Sequence, residues 1–290
     1  MAGHWKTGAS VTESPHSIGS DWPLASIPDT QVRPLSVDGT TYRISIALPG
    51  GPTPAGGFPV LYLLDADAGF ATVVETHRRL SRRPDATGVA PAVIVGIGHG
   101  GGGLYDPGRR ERDYVPRALQ SSHTDGAEAF LNFIETRLKP DIGATLAVDP
   151  RRQALIGHSL SGYFTLWTLV RHPGAFQSYA AISPSLWRDE GLMADIPAIR
   201  GDISSVFIAA GEWEEALAPW QAEHANSADI ARRRAERRMV SNARTFAARL
   251  GDHIGAGRVR FEMFPDQDHA SVFGVAINRA LRMVSGPHLT

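Results

Sequence analysis

The residues Leu155-Ile156-Gly157-His158-Ser159-Leu160-Ser161-Gly162 carry an apolar run into a cluster of small residues, and a helical pattern opens at Tyr163-Phe164. In such a strand–turn–helix setting the turn is sharp and strained, and it lifts a serine hydroxyl above the sheet end toward a helix N-terminus. The dipole and free N–H groups there stabilise developing negative charge. Ser159 is therefore a candidate nucleophile, and the N–H of Leu160 a candidate oxyanion donor. Where a G-x-S-x-G pattern would place its last glycine stands Ser161, with Gly162 after it; serine is small enough to fit.

A serine nucleophile needs a base, and the base needs an orienting acid. Of the 11 histidines, His269 has the best setting: Pro265-Asp266-Gln267-Asp268-His269-Ala270-Ser271-Val272, a polar loop between the last strand pattern and the last helix. The order Ser, acid, His is that of α/β-hydrolases. The acid is expected after the strand ending at Gly211, where Glu212, Glu214 and Glu215 stand close together. A three-residue offset from that glycine selects Glu214, with Glu212 second. The remaining glutamates suit the solvated first turn of a helix.

The elements needed to position these groups are visible as hydrophobic patterns. Residues 41–48 alternate as a half-buried antiparallel strand does. The run at 60–66 is apolar on both faces, as central parallel strands are, and further short apolar runs bounded by turn residues follow at 92–98, 153–159, 178–184, 204–211 and 258–265. Helical spacing predicts helices over 124–139, 160–171 and 228–250. The alternation implies a mostly parallel sheet with helices on both faces, one α/β domain over 29–290. Residues 1–28, rich in Gly, Ser, Thr and Pro, read as a mobile extension, and 216–238, after the acid-bearing strand, as a helical insertion that could form a cap. The second oxyanion donor is expected where strand 60–66 ends, from the N–H of Asp67 or Ala66.

Composition narrows the partners. With 29 Lys+Arg against 30 Asp+Glu, the net charge of -1 provides no basic field for nucleic acid or an anionic membrane. There are 0 Cys, so thiolate nucleophiles and Cys-ligated zinc are excluded, and no histidine pair has metal-site spacing. No apolar run is long enough to span a membrane. The opening residues lack a signal-peptide pattern, which makes a cytoplasmic setting the expectation; the oligomeric state stays open.

Two glycine-rich patterns do not carry function on this reading. Gly98-His99-Gly100-Gly101-Gly102-Gly103 matches G-x-G-x-x-G, but no helix follows, which argues against a dinucleotide. It also imitates an HGGG oxyanion motif on the wrong strand, so it is read as a flexible rim. Arg109, Arg110 and Arg112 lie in the same loop and could overlook the nucleophile. Tyr105, Tyr114, Trp187 and Trp213 could complete an aromatic pocket with them. Arg232, Arg233, Arg234, Arg237 and Arg238 read as a solvated helix face.

From Pro28 to its end the chain resembles the putative esterase family of α/β-hydrolases, which includes esterase D, and within it the enterobactin-type ferric siderophore esterases. The likeness lies in Tyr42-Arg43-Ile44, Val60-Leu61-Tyr62-Leu63-Leu64-Asp65, Arg109-Arg110-Glu111-Arg112-Asp113-Tyr114-Val115-Pro116, Gly157-His158-Ser159, Ser183-Pro184-Ser185-Leu186-Trp187 and Asp268-His269-Ala270-Ser271-Val272. It implies Ser159 as nucleophile, His269 as base and an arginine of 109–112 near an anionic or catechol-like substrate. Some relatives work with a Ser–His pair, so it leaves Glu214 open. The expected function is a serine esterase with no cofactor, acting on a small-molecule ester such as a ferric siderophore. An aryl or feruloyl esterase, a thioesterase, an acyltransferase and a non-catalytic hydrolase-fold binding module are the alternatives.

Overall fold

The computed structural model describes residues 25–120 and 126–285. Most of the extension expected at 1–28 lies outside them. Its strands are β1 (Thr30–Val37), β2 (Thr40–Ala47), β3 (Phe58–Leu64), β4 (Val93–Gly98), β5 (Val148–His158), β6 (Ser178–Ile182), β7 (Ser205–Gly211) and β8 (Val259–Phe264). They form one sheet in the order β1-β2-β4-β3-β5-β6-β7-β8. β1 and β2 join antiparallel at one edge, and the pairs from β4 through to β8 are parallel. This is the α/β fold expected from the patterning. β1, which the hydrophobic patterning does not mark, is an edge strand that carries Pro34, and an edge tolerates its missing N–H.

Helices α1 (Ala66–Ser81), α2 (Pro84–Thr87), α3 (Pro107–Tyr114), α4 (Gly126–Phe133), α5 (Lys139–Thr145), α6 (Leu160–Arg171), α7 (Ser227–Arg237), α8 (Met239–Ile254) and α9 (Val272–Ser285) complete the chain. Alternate residues of the central strands serve two cores. Tyr62, Leu64, Val95 and Leu155 pack with Phe130, Phe164 and Phe246 of α4, α6 and α8. Leu61, Leu63, Ile94 and Ile156 pack with Val73, Val74, Ile277 and Leu281 of α1 and α9. Burial on both faces explains why these strands read as unbroken apolar runs.

Two helices depart from expectation. The segment expected as a helix over 124–139 widens into a π turn at Ile134–Leu138 and continues as α5; its residues 124–125 lie outside the described ones. Pro140 cannot donate to the carbonyl four residues back and would crowd it in a regular helix, and the wider turn accommodates that. The helix expected over 228–250 is two helices, broken at Arg238, whose φ is 48°. The apolar stripe begins only at Met239, so α8 docks on the core while α7 buries no residue.

The turn after β5 leaves no room for a side chain at Gly157. A Cβ there would overlap the Ser161 carbonyl and stand 2.6 Å from Thr165 Oγ1. Gly143, exposed in α5, has open space around it. Gly157→Ala is expected to destabilise the protein by about 3 kcal/mol through overpacking, whereas Gly143→Ala adds roughly 0.5–1 kcal/mol by helix propensity. Denaturant midpoints of the two variants check this contrast.

Candidate active site

Ser159 sits between β5 and α6 with φ 61° and ψ -118°, a region that side-chain-bearing residues occupy only under constraint. The constraint is visible. Its N–H donates to Ile182 O at 3.0 Å, and its carbonyl accepts from the N–H groups of Tyr163 at 2.9 Å and Ser185 at 3.0 Å. Ser161 explains its own presence in place of glycine: its buried hydroxyl donates to His158 O at 2.8 Å and accepts from His158 N at 3.0 Å. At Gly162 a Cβ would lie 3.1 Å from Ile182 O, so the close approach that favours glycine has moved one position along.

The ends of β7 and β8 bring the other two groups to this turn. His269 Nε2 lies 2.9 Å from Ser159 Oγ, and Nδ1 lies 2.7 Å from Glu214 Oε2. Because a carboxylate only accepts, Nδ1 carries the proton toward Glu214, which leaves Nε2 to accept from the serine hydroxyl. The other oxygen of Glu214 accepts from Ser183 Oγ at 2.5 Å and Gly211 N at 2.7 Å. Burial pushes the Glu214 carboxyl up, but the hydrogen bonds and charge of His269, with those of Ser183 and Gly211, outweigh it and hold the pKa below the usual range. The group stays ionised at neutral pH inside a nearly dry site.

The neighbouring glutamates do structural work. Glu212 accepts from Asp266 N at 3.0 Å, fixing the histidine loop. Glu215 accepts from Ser241 N and Oγ, both at 2.7 Å, and so caps the first turn of α8. Of the three, only Glu214 touches the imidazole.

His158, adjacent to the serine, was not expected to matter. Its Nε2–H donates to the main-chain carbonyl of His269 at 2.9 Å, and the two rings lie 4.9 Å apart. Burial lowers its pKa to about 3, so it is neutral at pH 7. It buttresses the histidine loop without adding charge. A polar ring flanking Ser159 in the turn was the available signal.

A cavity of about 460 Å³ opens beside Ser159 and His269. Trp187 and Trp213 line it, as expected, together with Arg188, Arg233, Arg234 and Arg237. Leu160, at the start of α6, lines it too. Ala66 and Asp67 open α1 at the exit of β3, the place expected for the second donor.

The 109–112 arginines are placed otherwise than expected. None is among the residues lining the cavity. Arg109 donates to the main-chain carbonyls of His99 and Thr41. Arg110 forks onto Asp65 at 3.0–3.2 Å. Arg112 pairs with Asp113 at 2.6 Å and reaches Tyr42, lining a separate cavity. Tyr114 is fully buried, and its hydroxyl donates to Asp65 at 3.1 Å. The physical reason is charge satisfaction: Asp65 and Asp113 are almost wholly buried and draw these donors inward. Arg110 and Tyr114 thereby fix the residue just before Ala66. The glycine run is not a rim of the cavity either; His99 is buried against Asp113 at 3.1 Å. Conversely, Arg233, Arg234 and Arg237, read as a solvated face, line the cavity.

The family described as Putative esterase matches residues 37–250. The chain belongs to that family. It is 37% identical over 289 residues to the ferri-bacillibactin esterase of Bacillus subtilis, covering 91% of this chain and 93% of that protein. It is 31% identical over 261 residues to the siderophore triacetylfusarinine C esterase of Aspergillus fumigatus, covering 84% and 89%. The crystal structure of the BES protein from Bacillus cereus superposes with a TM-score of 0.74 at 29% identity, over 92% of this chain and 98% of that one. With these relatives the chain is a serine hydrolase of carboxylic esters. Among the described residues, no helix is long and apolar enough to cross a membrane.

The geometry separates the three glutamates experimentally. Glu214→Gln is expected to lower kcat by about 10³- to 10⁴-fold, since an amide cannot hold the required tautomer or balance an imidazolium. Glu215→Gln instead weakens the α8 cap, lowering stability by about 1 kcal/mol with kcat nearly unchanged. Steady-state kinetics and thermal melts of both variants read the difference.

Proposed function

We propose that Ser159, His269 and Glu214 form a catalytic relay that hydrolyses the ester bonds of a siderophore, a catecholate tri-ester. The observation that carries this reading is the relay itself, Ser159 Oγ to His269 Nε2 at 2.9 Å and His269 Nδ1 to Glu214 at 2.7 Å, opening on a cavity walled by indoles and guanidiniums. The siderophore esterases among its relatives supply the substrate class.

The reaction follows from these positions. Ser159 Oγ attacks the ester carbonyl carbon while His269 Nε2 takes its proton. The resulting oxyanion is held by the N–H of Leu160 and by that of Ala66 or Asp67. The C–O bond to the leaving alcohol then breaks, and His269 returns the proton to the departing oxygen. Water, deprotonated by His269, attacks the acyl-serine; the acid leaves, and Ser159 recovers its proton. Glu214 stays ionised throughout and stabilises the imidazolium. Trp187 and Trp213 offer stacking faces for catechol rings, and the insertion at 216–238 caps the site. No cofactor enters this chemistry.

Wild-type protein is expected to take a fluorophosphonate label at Ser159 and to release monomers from a catecholate tri-ester, followed by chromatography. Ser159→Ala and His269→Ala should each lose about 10³-fold or more, and the double variant should be scarcely worse, because the groups act as one unit. Labelling without turnover of any siderophore ester refutes the substrate; additive losses refute the shared relay.

A further inference from the structure

The arginines around the cavity are not equally committed. Arg188 donates to Glu111 at 2.6 Å. Arg234 donates to Gln221 Oε1 at 2.7 Å and to Ala216 O at 2.5 Å. Arg237 lies over the Trp187 ring, 4.8 Å from its centroid, and neither it nor Arg233 has a carboxylate partner among the described residues. Arg233 and Arg234 follow Ile230 by three and four residues and precede Arg237 by four and three, so the four form one stripe of α7, and all line the cavity. The carboxylate among the lining residues, Glu214, is 1% exposed and has both oxygens engaged. What the wall offers a ligand is positive charge with unspent donors.

Siderophore esters differ in the charge they would bring. An iron-free catecholate tri-ester keeps its catechol hydroxyls protonated near neutrality and is uncharged. A ferric ion held by three doubly deprotonated catechols leaves a net triple negative charge. A ferric ion held by three hydroxamates leaves none.

Resting on the siderophore-esterase reading above, we infer that the stripe formed by Arg233 and Arg237 of α7, set against Trp187 beside Ser159, selects substrate by charge. It takes the triply anionic ferric tris-catecholate ester in preference to the iron-free ester and to a neutral ferric tris-hydroxamate ester. The two positive charges attract the triply negative complex and leave the neutral ones indifferent, and charge-assisted hydrogen bonds that form only with the anion make the preference. Because α7 lies at the surface, salt screens the attraction.

The test compares kcat/KM for four substrates: a ferric catecholate tri-ester, its redox-inert gallium counterpart of equal charge, the iron-free form and a ferric hydroxamate ester. The full chain is used as wild type, as Arg233→Ala/Arg237→Ala and as Arg233→Lys/Arg237→Lys. Wild type is expected to favour both metal-loaded catecholates, mainly through KM, with a preference that shrinks as salt rises. The alanine pair should reduce the ratio of ferric to iron-free kcat/KM by about tenfold per arginine, the equivalent of about 1.4 kcal/mol each. The lysine pair should retain most of it. If siderophores are cleaved with no preference by charge, or if lysine loses as much as alanine, charge selection by α7 is overturned while the esterase reading stands. If Ser159 takes the fluorophosphonate label but no siderophore is cleaved, the substrate reading fails and this inference with it.

Discussion

The backbone of one residue organises the site. Ser159 is held at φ 61°, ψ -118°, a conformation that costs on the order of 1–3 kcal/mol and persists only when its surroundings leave no alternative. Those surroundings are the parallel pairing of β5 with β6, the main-chain bonds to Ile182, Tyr163 and Ser185, and a helix buried along nearly its whole length. Gly157 and Ser161 are consequences of that backbone: the first because a Cβ has nowhere to go, the second because a hydroxyl can tie the turn to the strand.

Around that fixed point, groups 55 and 110 residues apart in the chain meet with hydrogen-bond accuracy. They can do so because they leave the same ends of β5, β7 and β8, parallel strands of one sheet, where crossover topology gathers loops. The loops are then stitched to each other by main-chain bonds: Trp213 N to Gln267 O at 3.0 Å, and His158 to the His269 carbonyl. A Cβ on Gly211 would stand 2.5 Å from Gln267 O, so the acid strand and histidine loop touch backbone to backbone. The buried carboxylate is stable there because three donors converge on it.

That Ser159, His269 and Glu214 would meet could be expected from the chain, because each has a set place after a strand end, which hydrophobic patterning marks clearly. The sheet was legible for the same reason. What patterning cannot mark is the direction a charged side chain takes. Arg110 stands on α3 in the connection after β4, but its partner Asp65 lies 45 residues away and nothing local announces the pairing. Arg233 and Arg237 sit in a run of arginines that looks the same whether it faces water or a cavity. No glycine or proline marks the break at Arg238.

The lack of any buried residue in α7 separates two demands that usually conflict. Replacing Arg110 or Tyr114 of α3 disturbs Asp65, and with it the strand exit beside Ser159. Replacing one on α7 removes nothing from either core. With α7 in the selective role proposed for it, ligand preference can diverge among descendants of this scaffold by surface exchanges that leave folding stability nearly untouched. The chemistry stays locked in the sheet, and selectivity is left free to evolve.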